Sequence, residues 1–215
     1  MDLKIIYEDE QLLVCYKPAG VATQTKRLGQ QDMESLLKNN RASKGEPSYI
    51  GVVHRLDQPV EGVMVFAKTK EAASDMSRQV QMKEADKFYY AVTDGVPVEK
   101  TGSLEDYLLR DGRTNTSKVV KEGTAGAKKA RLSYEVIAED GTHAILKIQL
   151  DTGRHHQIRV QLAHAGYPIV GDRKYNADSS STLGDHLKLC SYKIGFVHPK
   201  THKKMEFEIE NPYAC

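Results

Sequence analysis

Hydrophobic and polar residues alternate along much of the chain with the period of a half-buried β-strand. Seven stretches of six to eight residues show this alternation or a short, strand-length apolar run. Because polar positions recur between apolar ones, we expect strands with one face on the core and one toward solvent, as in antiparallel sheets. The predicted strands are residues 11–17, 63–68, 88–94, 131–138, 143–150, 192–197 and 205–210.

Helical periodicity is confined to a few segments. Residues 71–83 follow Thr69, a candidate N-cap, and residues 155–166 place apolar side chains on one stripe that Gly166 would end. Residues 32–40 form a shorter candidate helix. Strands outnumber helices and do not alternate regularly with them. The pattern therefore predicts an α+β fold, a mixed, mostly antiparallel sheet with flanking helices, rather than a doubly wound fold.

The composition is that of a globular protein, which we expect in the cytoplasm. Charged residues make up 28%, hydrophobic residues 40%, and the net charge is +2. No repeat or long linker divides the chain, so we expect one domain over residues 1–215, with an internal loop at 174–184. Three scattered cysteines without a CxxC predict neither a disulfide framework nor a zinc site. The acidic N-terminus and apolar runs of about five residues argue against a signal peptide or membrane span.

Basic side chains are concentrated locally although the net charge is small. Seven lie from Arg110 to Arg131, opposed by two acids, and smaller groups occur at 200–204 and at Arg173 with Lys174. A solvated hairpin would explain any one group, whereas several together suit a polyanion whose phosphates bind Lys and Arg. The candidate phosphate contacts are Lys118, Lys121, Lys128, Lys129, Lys203 and Lys204.

The stretch 53-VHRLDQPVEGVMVFAK-68 places Asp57 where a charged loop meets an apolar strand. A turn residue is the ordinary explanation for such an aspartate. A kinase catalytic loop would need a nearby Asn, a DFG and a glycine-rich loop, and the sequence has none of them. The adjacent histidines 155–156 lack the i, i+4 spacing of zinc-binding helices, so we expect no metal.

Five ordered motifs run along the chain. They are 17-KPAGVAT-23, the HRLDxxxxG stretch with its apolar strand, 87-KFYYAVTDG-95, 152-TGRHHQIR-159 with its continuation 166-GYPIVGD-172, and 187-LKLCSYKIGFVHP-199. Together they resemble the motifs of RluA-type pseudouridine synthases. A lone HRLD would be a weak signal. The ordered set covers most of the chain and makes the resemblance specific.

The resemblance implies an enzyme that isomerises uridine to pseudouridine within RNA, without cofactor or metal, on a sheet with a central catalytic cleft. It implies that Asp57 is the catalytic residue, that Arg154 pairs with it, and that Tyr89 packs against the target base. The other substrate contacts that it implies are Arg55, which would extrude the base or hold RNA, with His54, Gln157 and Arg159.

The chemistry needs these residue types on physical grounds. Uracil must leave C1′, rotate and rejoin through C5, and Asp57 could act as nucleophile or as base; the sequence is compatible with both. An arginine beside Asp57 would keep the carboxylate ionised and fix its direction in a dry pocket. Flipping the uridine out costs a few kcal/mol, which aromatic stacking of roughly 1–3 kcal/mol offsets in part.

The sequence departs from the family pattern at three places. Residues 60–61, Val-Glu, stand where the family usually has Thr-Ser, and Gln161 and Cys190 stand where it usually has His. Two arrangements stay open for Glu61. Either its side chain faces solvent, or it reaches an arginine of the site and holds the turn as the family's hydroxyls would.

The expected partner is ribosomal or transfer RNA, bound by a monomer that needs no protein partner and no membrane. The family's common N-terminal S4 domain is not expected, because the KPxG strand begins at once. A catalytically inactive RNA-binding relative is one alternative, against which Asp57, Tyr89 and Arg154 argue. A nucleosidase or glycosidase is another, and it would need a second carboxylate about 5–10 Å away, for which Glu61 is the near candidate.

Overall fold

A computed structural model describes residues 3–25, 27, 29–176 and 186–214. Most of the predicted loop 174–184 lies outside this range. The chain divides into two compact units, Met1–Lys87 with Ser191–Glu210 and Phe88–Cys190 with Asn211–Cys215. One domain over the whole chain stays a prediction.

Strands dominate both units, and the α+β class with a largely antiparallel sheet is confirmed. The strands are β1 (Lys4–Glu8), β2 (Leu12–Lys17), β3 (Gly51–Val52), β4 (Glu61–Ala67), β5 (Asp86–Asp94), β6 (Thr101–Asp111), β7 (Thr116–Val120), β8 (Lys128–Glu139), β9 (His143–Leu150), β10 (Leu189–Val197) and β11 (Lys204–Glu208). The helices are α1 (Met33–Ser43), α2 (Lys70–Met82) and α3 (Gln157–His164). No helix of the described ranges is long and apolar enough to cross a membrane.

The first unit is built on the neighbouring strands β1, β2, β4 and β10, with β3 on β4 and β11 on β10. The pairs β1–β2, β2–β4, β3–β4 and β10–β11 are antiparallel. Every residue of β4 after Glu61 is buried. Val14 of β2, Val65 of β4 and Ile194 of β10 pack in one cluster with Met76 of α2. The strand that follows the Asp57 loop is thus the most deeply buried element described here.

Gly62 sets the place where the Asp57 loop turns into the sheet. Its φ is +125°, and a Cβ there would lie 2.1 Å from the carbonyl oxygen of Ser191 in β10. Only glycine permits both the dihedral angle and so close an approach of two main chains. The loop therefore enters β4 along a path that a larger residue would block.

The two helices of the first unit begin within one residue of their predicted starts. Thr69 caps α2, because its side chain accepts a hydrogen bond from the main-chain N–H of Ala72. Asp32 caps α1 through a capping box. Helix α1 runs beyond the predicted end at residue 40, and Arg41 in its last turn is buried and donates to the Pro47 carbonyl.

The second unit has its strands in the order β5, β9, β8, β6 and β7, and each neighbouring pair is antiparallel. The sequence did not predict β6 or β7. Charged residues such as Glu105, Asp106 and Arg110 interrupt the apolar positions of β6. Pairing with β8 on one side and β7 on the other supplies the strand conformation that the local pattern lacks.

Helix α3 starts at Gln157, two residues after the predicted start at 155. His156 has φ +53°, the left-handed conformation, so the regular helix cannot extend through it toward the N-terminus. Arg154 therefore lies in the turn before the helix rather than at its first position.

Candidate active site

Asp57 lies in the loop that joins β3 to β4 in the first unit. Its side chain is partly exposed, whereas Leu56 before it and Val60 after it are buried. The Val60 N–H donates to the Asp57 carbonyl oxygen at 3.0 Å and closes a tight turn. The carboxylate is thus carried on a short turn whose neighbouring apolar side chains fasten it to the core.

Thr23 holds the residue before Asp57 at both of its main-chain polar groups. The Thr23 hydroxyl donates to the Leu56 carbonyl oxygen at 2.9 Å and accepts from the Leu56 N–H at 3.2 Å. Thr23 is 3% exposed, so water does not compete freely for these bonds. One side chain of the 17–23 motif therefore fixes the peptide groups that lead into Asp57.

Lys17 and Gly20 hold the residue after Asp57. The Gly20 N–H donates to the Gln58 carbonyl oxygen at 2.9 Å, and the Gln58 side-chain amide donates back to the Gly20 carbonyl oxygen at 2.9 Å. The Lys17 ammonium, which is fully buried, donates to the carbonyl oxygens of Pro18 at 3.1 Å, Val21 at 2.6 Å and Gln58 at 3.1 Å.

The charge state of Lys17 reflects two opposing effects. Burial lowers the pKa of its ammonium to about 8, while the negative charges of Asp57 and Glu61 act to raise that pKa. Sequence reasoning placed Lys17 in the KPxG motif but gave it no role, because the residues that it contacts lie in two separate turns.

His54 ties the loop to β4 as a neutral imidazole. Its Nε2 accepts a hydrogen bond from the Val65 N–H at 3.1 Å, so the ring proton is on Nδ1. Burial, with a smaller contribution from the charge of Lys87, lowers the pKa of His54 to about 3. Arg55 is exposed, and no hydrogen bond or ion pair joins it to another described residue. Direct contact of either side chain with substrate stays a prediction.

Glu61 bonds a tyrosine, a partner that neither expected arrangement named, and both arrangements stay predictions. Its side chain is only partly exposed, and its Oε2 accepts a hydrogen bond from the Tyr16 hydroxyl at 2.6 Å. Tyr16 lies opposite Val63 in the β2–β4 ladder, which brings the phenol beside the first residue of β4. Val60, the other departure from the family pattern here, is a buried core residue.

Tyr89 belongs to the second unit, where β5 carries it. It pairs with Ile148 of β9 and is 7% exposed. Tyr90, the adjacent tyrosine, points to the opposite face of the strand because successive side chains alternate. The role of Tyr89 toward a base stays a prediction.

Arg154 lies on the surface of the second unit, which differs from the buried setting expected for it. Its Nε donates to the Lys129 carbonyl oxygen at 3.0 Å, and its main-chain N–H donates to Gln157 Oε1 at 3.0 Å. No partner within the described ranges bonds its two Nη nitrogens. Its pairing with Asp57 stays a prediction.

Gln157 is buried and holds the turn before α3. Its Oε1 accepts from the Thr152 hydroxyl at 2.7 Å, and its Nε2 donates to the Arg131 carbonyl oxygen at 3.0 Å. These bonds support a structural role for Gln157. Contact with the substrate stays a prediction.

Arg159 is also buried, and its Nε and Nη2 each donate to the carboxylate of Asp172 at 2.7 Å. The same guanidinium lies 5.1 Å from the centre of the Tyr175 ring. Two arginines of one motif therefore occupy opposite environments, Arg154 exposed and Arg159 enclosed.

The tip of the β6–β7 hairpin contacts the segment before α3, a contact that the sequence did not indicate. His155 stacks on His156 with ring centres 3.8 Å apart, and Ser117 Oγ lies 2.9 Å from His155 Nδ1. The Lys174 ammonium donates to the Asn115 carbonyl oxygen at 2.7 Å. Long sequence separation hides such contacts from motif analysis.

The predicted phosphate-binding lysines differ in whether an acidic side chain already pairs with them. Three of them, Lys118, Lys121 and Lys128, lie at the surface of the second unit and form no ion pair with another described residue. Lys129 instead lies 2.7 Å from Glu105 Oε1. Lys203 and Lys204 are exposed at the start of β11 in the first unit. The described residues contain no cluster of three or more potential metal ligands.

A profile of the family described as RNA pseudouridylate synthase matches residues 11–164, a span that holds Asp57, Tyr89 and Arg154. The chain belongs to the RNA pseudouridylate synthase family. The resemblance to RluA-type enzymes is confirmed by relatives of that name. A dual-specificity RNA pseudouridine synthase RluA of Vibrio parahaemolyticus is 32% identical over 92% of this chain and 79% of its own.

Other relatives match over nearly the whole chain. An RNA pseudouridine synthase of Aquifex aeolicus is 35% identical over 98% of this chain and 70% of its own. The ribosomal large subunit pseudouridine synthase D of Pseudomonas aeruginosa is 33% identical, over 99% and 69% respectively. The solved structure of human RNA pseudouridylate synthase domain containing 4 has a TM-score of 0.81 and 23% identity, and covers 98% of this chain and 89% of its own. This last likeness concerns the fold alone.

Proposed function

We propose that this pseudouridine synthase isomerises specific uridines of ribosomal or transfer RNA, without a cofactor, and that Asp57 is its catalytic residue. The observation that carries the proposal is the Asp57 turn, a partly exposed carboxylate on a main chain held from both sides, in a member of this family. A fixed carboxylate favours catalysis because the reacting groups lose little freedom on reaching the transition state.

The isomerisation breaks the bond from C1′ to N1, turns the uracil and forms a bond from C1′ to C5. Overall, C5 loses a proton and N1 gains one. Asp57 acts either as the nucleophile at C1′ or as the base that removes a sugar proton, and both roles need an ionised carboxylate. Because the target uridine must leave the stack, the flipped base needs a partner ring. We assign that role to Tyr89. Arg55 is exposed two residues before Asp57, and we propose that its side chain fills the space that the base vacates.

In this proposal, the positive charge of Arg154 binds an anionic group that takes part in the same reaction. Its Nε is occupied by the Lys129 carbonyl, which leaves the two Nη nitrogens for a bidentate contact. Such a contact suits the carboxylate of Asp57. It suits an RNA phosphate equally well, so the arginine orients substrate if it does not pair with the aspartate.

Asp57→Asn decides the proposal. We expect the single-turnover rate on RNA to fall by more than about 10³-fold, because both mechanisms require the carboxylate. Folding and RNA binding should persist, since affinity comes mainly from phosphate contacts. The rate is measured on RNA in which pseudouridines have been mapped with and without the gene, which also identifies the substrate. Wild-type turnover by Asp57→Asn and Asp57→Ala would contradict the assignment.

RNA capture rests, we propose, on the exposed lysines. Replacing Lys118, Lys121 and Lys128 by Gln should lower the slope of log affinity against log salt by about 0.7–0.9 for each phosphate that is no longer neutralised. The single-turnover rate at saturating RNA should stay unchanged. Lys129→Gln is the matched control and should change the slope less, because Glu105 already neutralises that charge. An unchanged slope in the triple variant would put the RNA on another surface.

We expect the protein to act as a monomer in the cytoplasm, where ribosomal and transfer RNA are found. Sedimentation of the free protein and of its RNA complex tests the first point.

A further inference from the structure

We propose that Thr23 is a positioning residue for Asp57, and that Lys17 forms the opposing anchor on the other side of the carboxylate. The proposal rests on the proposed function, since it gives Thr23 a part in the reaction that Asp57 performs. Thr23 does not touch the substrate in this account. It acts by fixing the direction in which the Asp57 side chain leaves the main chain.

The bonds on the two sides of Asp57 form a clamp. Upstream, both main-chain polar groups of Leu56 are bonded to one hydroxyl, at 2.9 and 3.2 Å. Downstream, the Gln58 carbonyl oxygen accepts from Gly20 at 2.9 Å and from Lys17 at 3.1 Å. Neither adjoining residue can rotate without breaking two of these bonds. These bonds therefore fix the main-chain dihedral angles of Asp57 from outside the loop.

The clamp joins two parts of the chain that lie far apart in sequence, beside the β2–β4 ladder in which Lys17 is opposite Gly62. Thr23 is 33 residues from Leu56, and Lys17 is 41 residues from Gln58. Lys17 also bonds the carbonyls of Pro18 and Val21, which lie in the turn that delivers Thr23. A shift of that turn would thus move both anchors of the Asp57 loop at once.

A hydroxyl is required at position 23 for a chemical reason. A threonine hydroxyl donates one hydrogen bond and accepts others, so a single atom can serve both the C=O and the N–H of Leu56. Valine has nearly the same shape and can serve neither, while serine keeps the hydroxyl and loses only a methyl group. Thr23 is 3% exposed, so solvent cannot replace the missing bonds without a local opening.

A structural role alone predicts a different result from a positioning role, and Thr93 supplies the control. Thr93 belongs to the second unit and is fully buried, and its hydroxyl donates to the Gly95 carbonyl oxygen at 2.9 Å. Thr93→Val removes a buried hydroxyl as Thr23→Val does. If lower stability were the cause of any decrease in rate, the two variants would behave alike.

The experiment compares Thr23→Val, Thr23→Ser and Thr93→Val in the full chain. For Thr23→Val we expect the single-turnover rate at saturating RNA to fall about 10- to 100-fold, because small displacements of reacting groups have effects of that size. RNA affinity should stay within about twofold. Thr23→Ser and Thr93→Val should keep the rate within about threefold.

Hydrogen exchange of the Leu56 amide gives a readout that does not depend on activity. Thr23→Val should speed that exchange at least about tenfold under native conditions, since it removes the acceptor of the Leu56 N–H. Thr93→Val and Thr23→Ser should leave it protected. If Thr23→Val does not fold, Thr23→Ala takes its place with the same expected results.

A wild-type rate in Thr23→Val, or a decrease no larger than that of Thr93→Val, would overturn the positioning role, and so would a Leu56 amide that stays protected. Failure of the proposed function looks different. In that case the wild-type protein would convert no uridine in any RNA, while the exchange of the Leu56 amide would still test whether Thr23 holds the loop.

Discussion

The loop that carries Asp57 and the segment that carries Arg154 match family motifs equally well, but different kinds of bonds hold them. In the loop, the hydrogen bonds of Thr23 and Lys17 end on main-chain atoms. In the segment 152–159, the buried side chains of Gln157 and Arg159 make the bonds.

The difference shows what a motif match can and cannot assign. A loop held at its main chain presents its central residue in one direction, which is why we propose a role for the aspartate of HRLD. A segment held by its own side chains uses some of its polar residues for structure. The two arginines of TGRHHQIR therefore cannot be given roles from the motif alone, and their environments must be compared.

The largest expected contrast is between these two arginines. Arg159→Ala should lower the free energy of unfolding by about 3–5 kcal/mol, because the fully buried Asp172 would lose its cationic partner and keep, among the described residues, only the main-chain N–H donors of Lys174 and Tyr175. Arg154→Ala, at an exposed position, should lower it by about 1 kcal/mol or less. Urea denaturation measures both. Equal decreases would mean that the surface position of Arg154 is wrong.

Acid should destabilise both regions through one histidine in each. Burial lowers the pKa of His156 to about 2 and that of His54 to about 3, against about 6.5 in the unfolded chain. Below pH 6.5 the unfolded chain therefore binds protons that the native chain does not, and stability falls as the pH falls. The decrease is about 1.4 kcal/mol per pH unit for each histidine, or about 2 kcal/mol each at pH 5.

Substitutions distinguish the contributions of the two histidines to the loss of stability in acid. His54→Gln and His156→Gln should each remove about half of the extra destabilisation between pH 7 and pH 5, as followed by denaturation at both pH values. Protonation of His54 also abolishes the acceptor for the Val65 N–H, whereas the Tyr175 hydroxyl, 2.7 Å from His156 Nδ1, can reverse its own role. An acid-induced rise in amide exchange should therefore appear at Val65. If either variant loses as much stability as the wild type between pH 7 and pH 5, the lowered pKa of the histidine that it replaces is contradicted.

The smallest effect should come from the Tyr16–Glu61 bond, which lies beside the Asp57 loop but outside its clamp. Tyr16→Phe should cost about 1 kcal/mol of unfolding free energy, and Glu61→Gln less, because an amide oxygen still accepts from the phenol. Both should keep the single-turnover rate within about threefold from pH 5 to 8. A tenfold decrease in Glu61→Gln, or a shifted acid limb of the pH profile, would make Glu61 part of the reaction.

The sequence predicted elements where local pattern and tertiary packing agree. Strands β4 and β9 show clear apolar runs or alternation, and α2 has a capping Thr69. The sequence pattern did not predict β6, because charged residues interrupt the alternation of that strand. It placed the start of α3 too early, because nothing in the local sequence indicates the left-handed conformation of His156.

The site divides in the same manner. Asp57 could be proposed from the sequence because its motif is contiguous. The contacts that hold it join residues 33 and 41 apart, and the partner of Glu61 is 45 residues away across two strands. Such pairs depend on strand register, which one sequence does not reveal. The exposure of Arg154 likewise depends on where α3 begins.

The buried amine of Lys17 also allows opening of the Asp57 loop to be measured by chemical labelling. Burial lowers the pKa of this amine to about 8 only while the loop is closed, so its reaction with acylating reagents depends on opening of the loop. Its complete burial withholds it from them. Acylation of Lys17 in the native protein would therefore record each opening of the Asp57 loop, and RNA that stabilises the closed loop would slow the labelling.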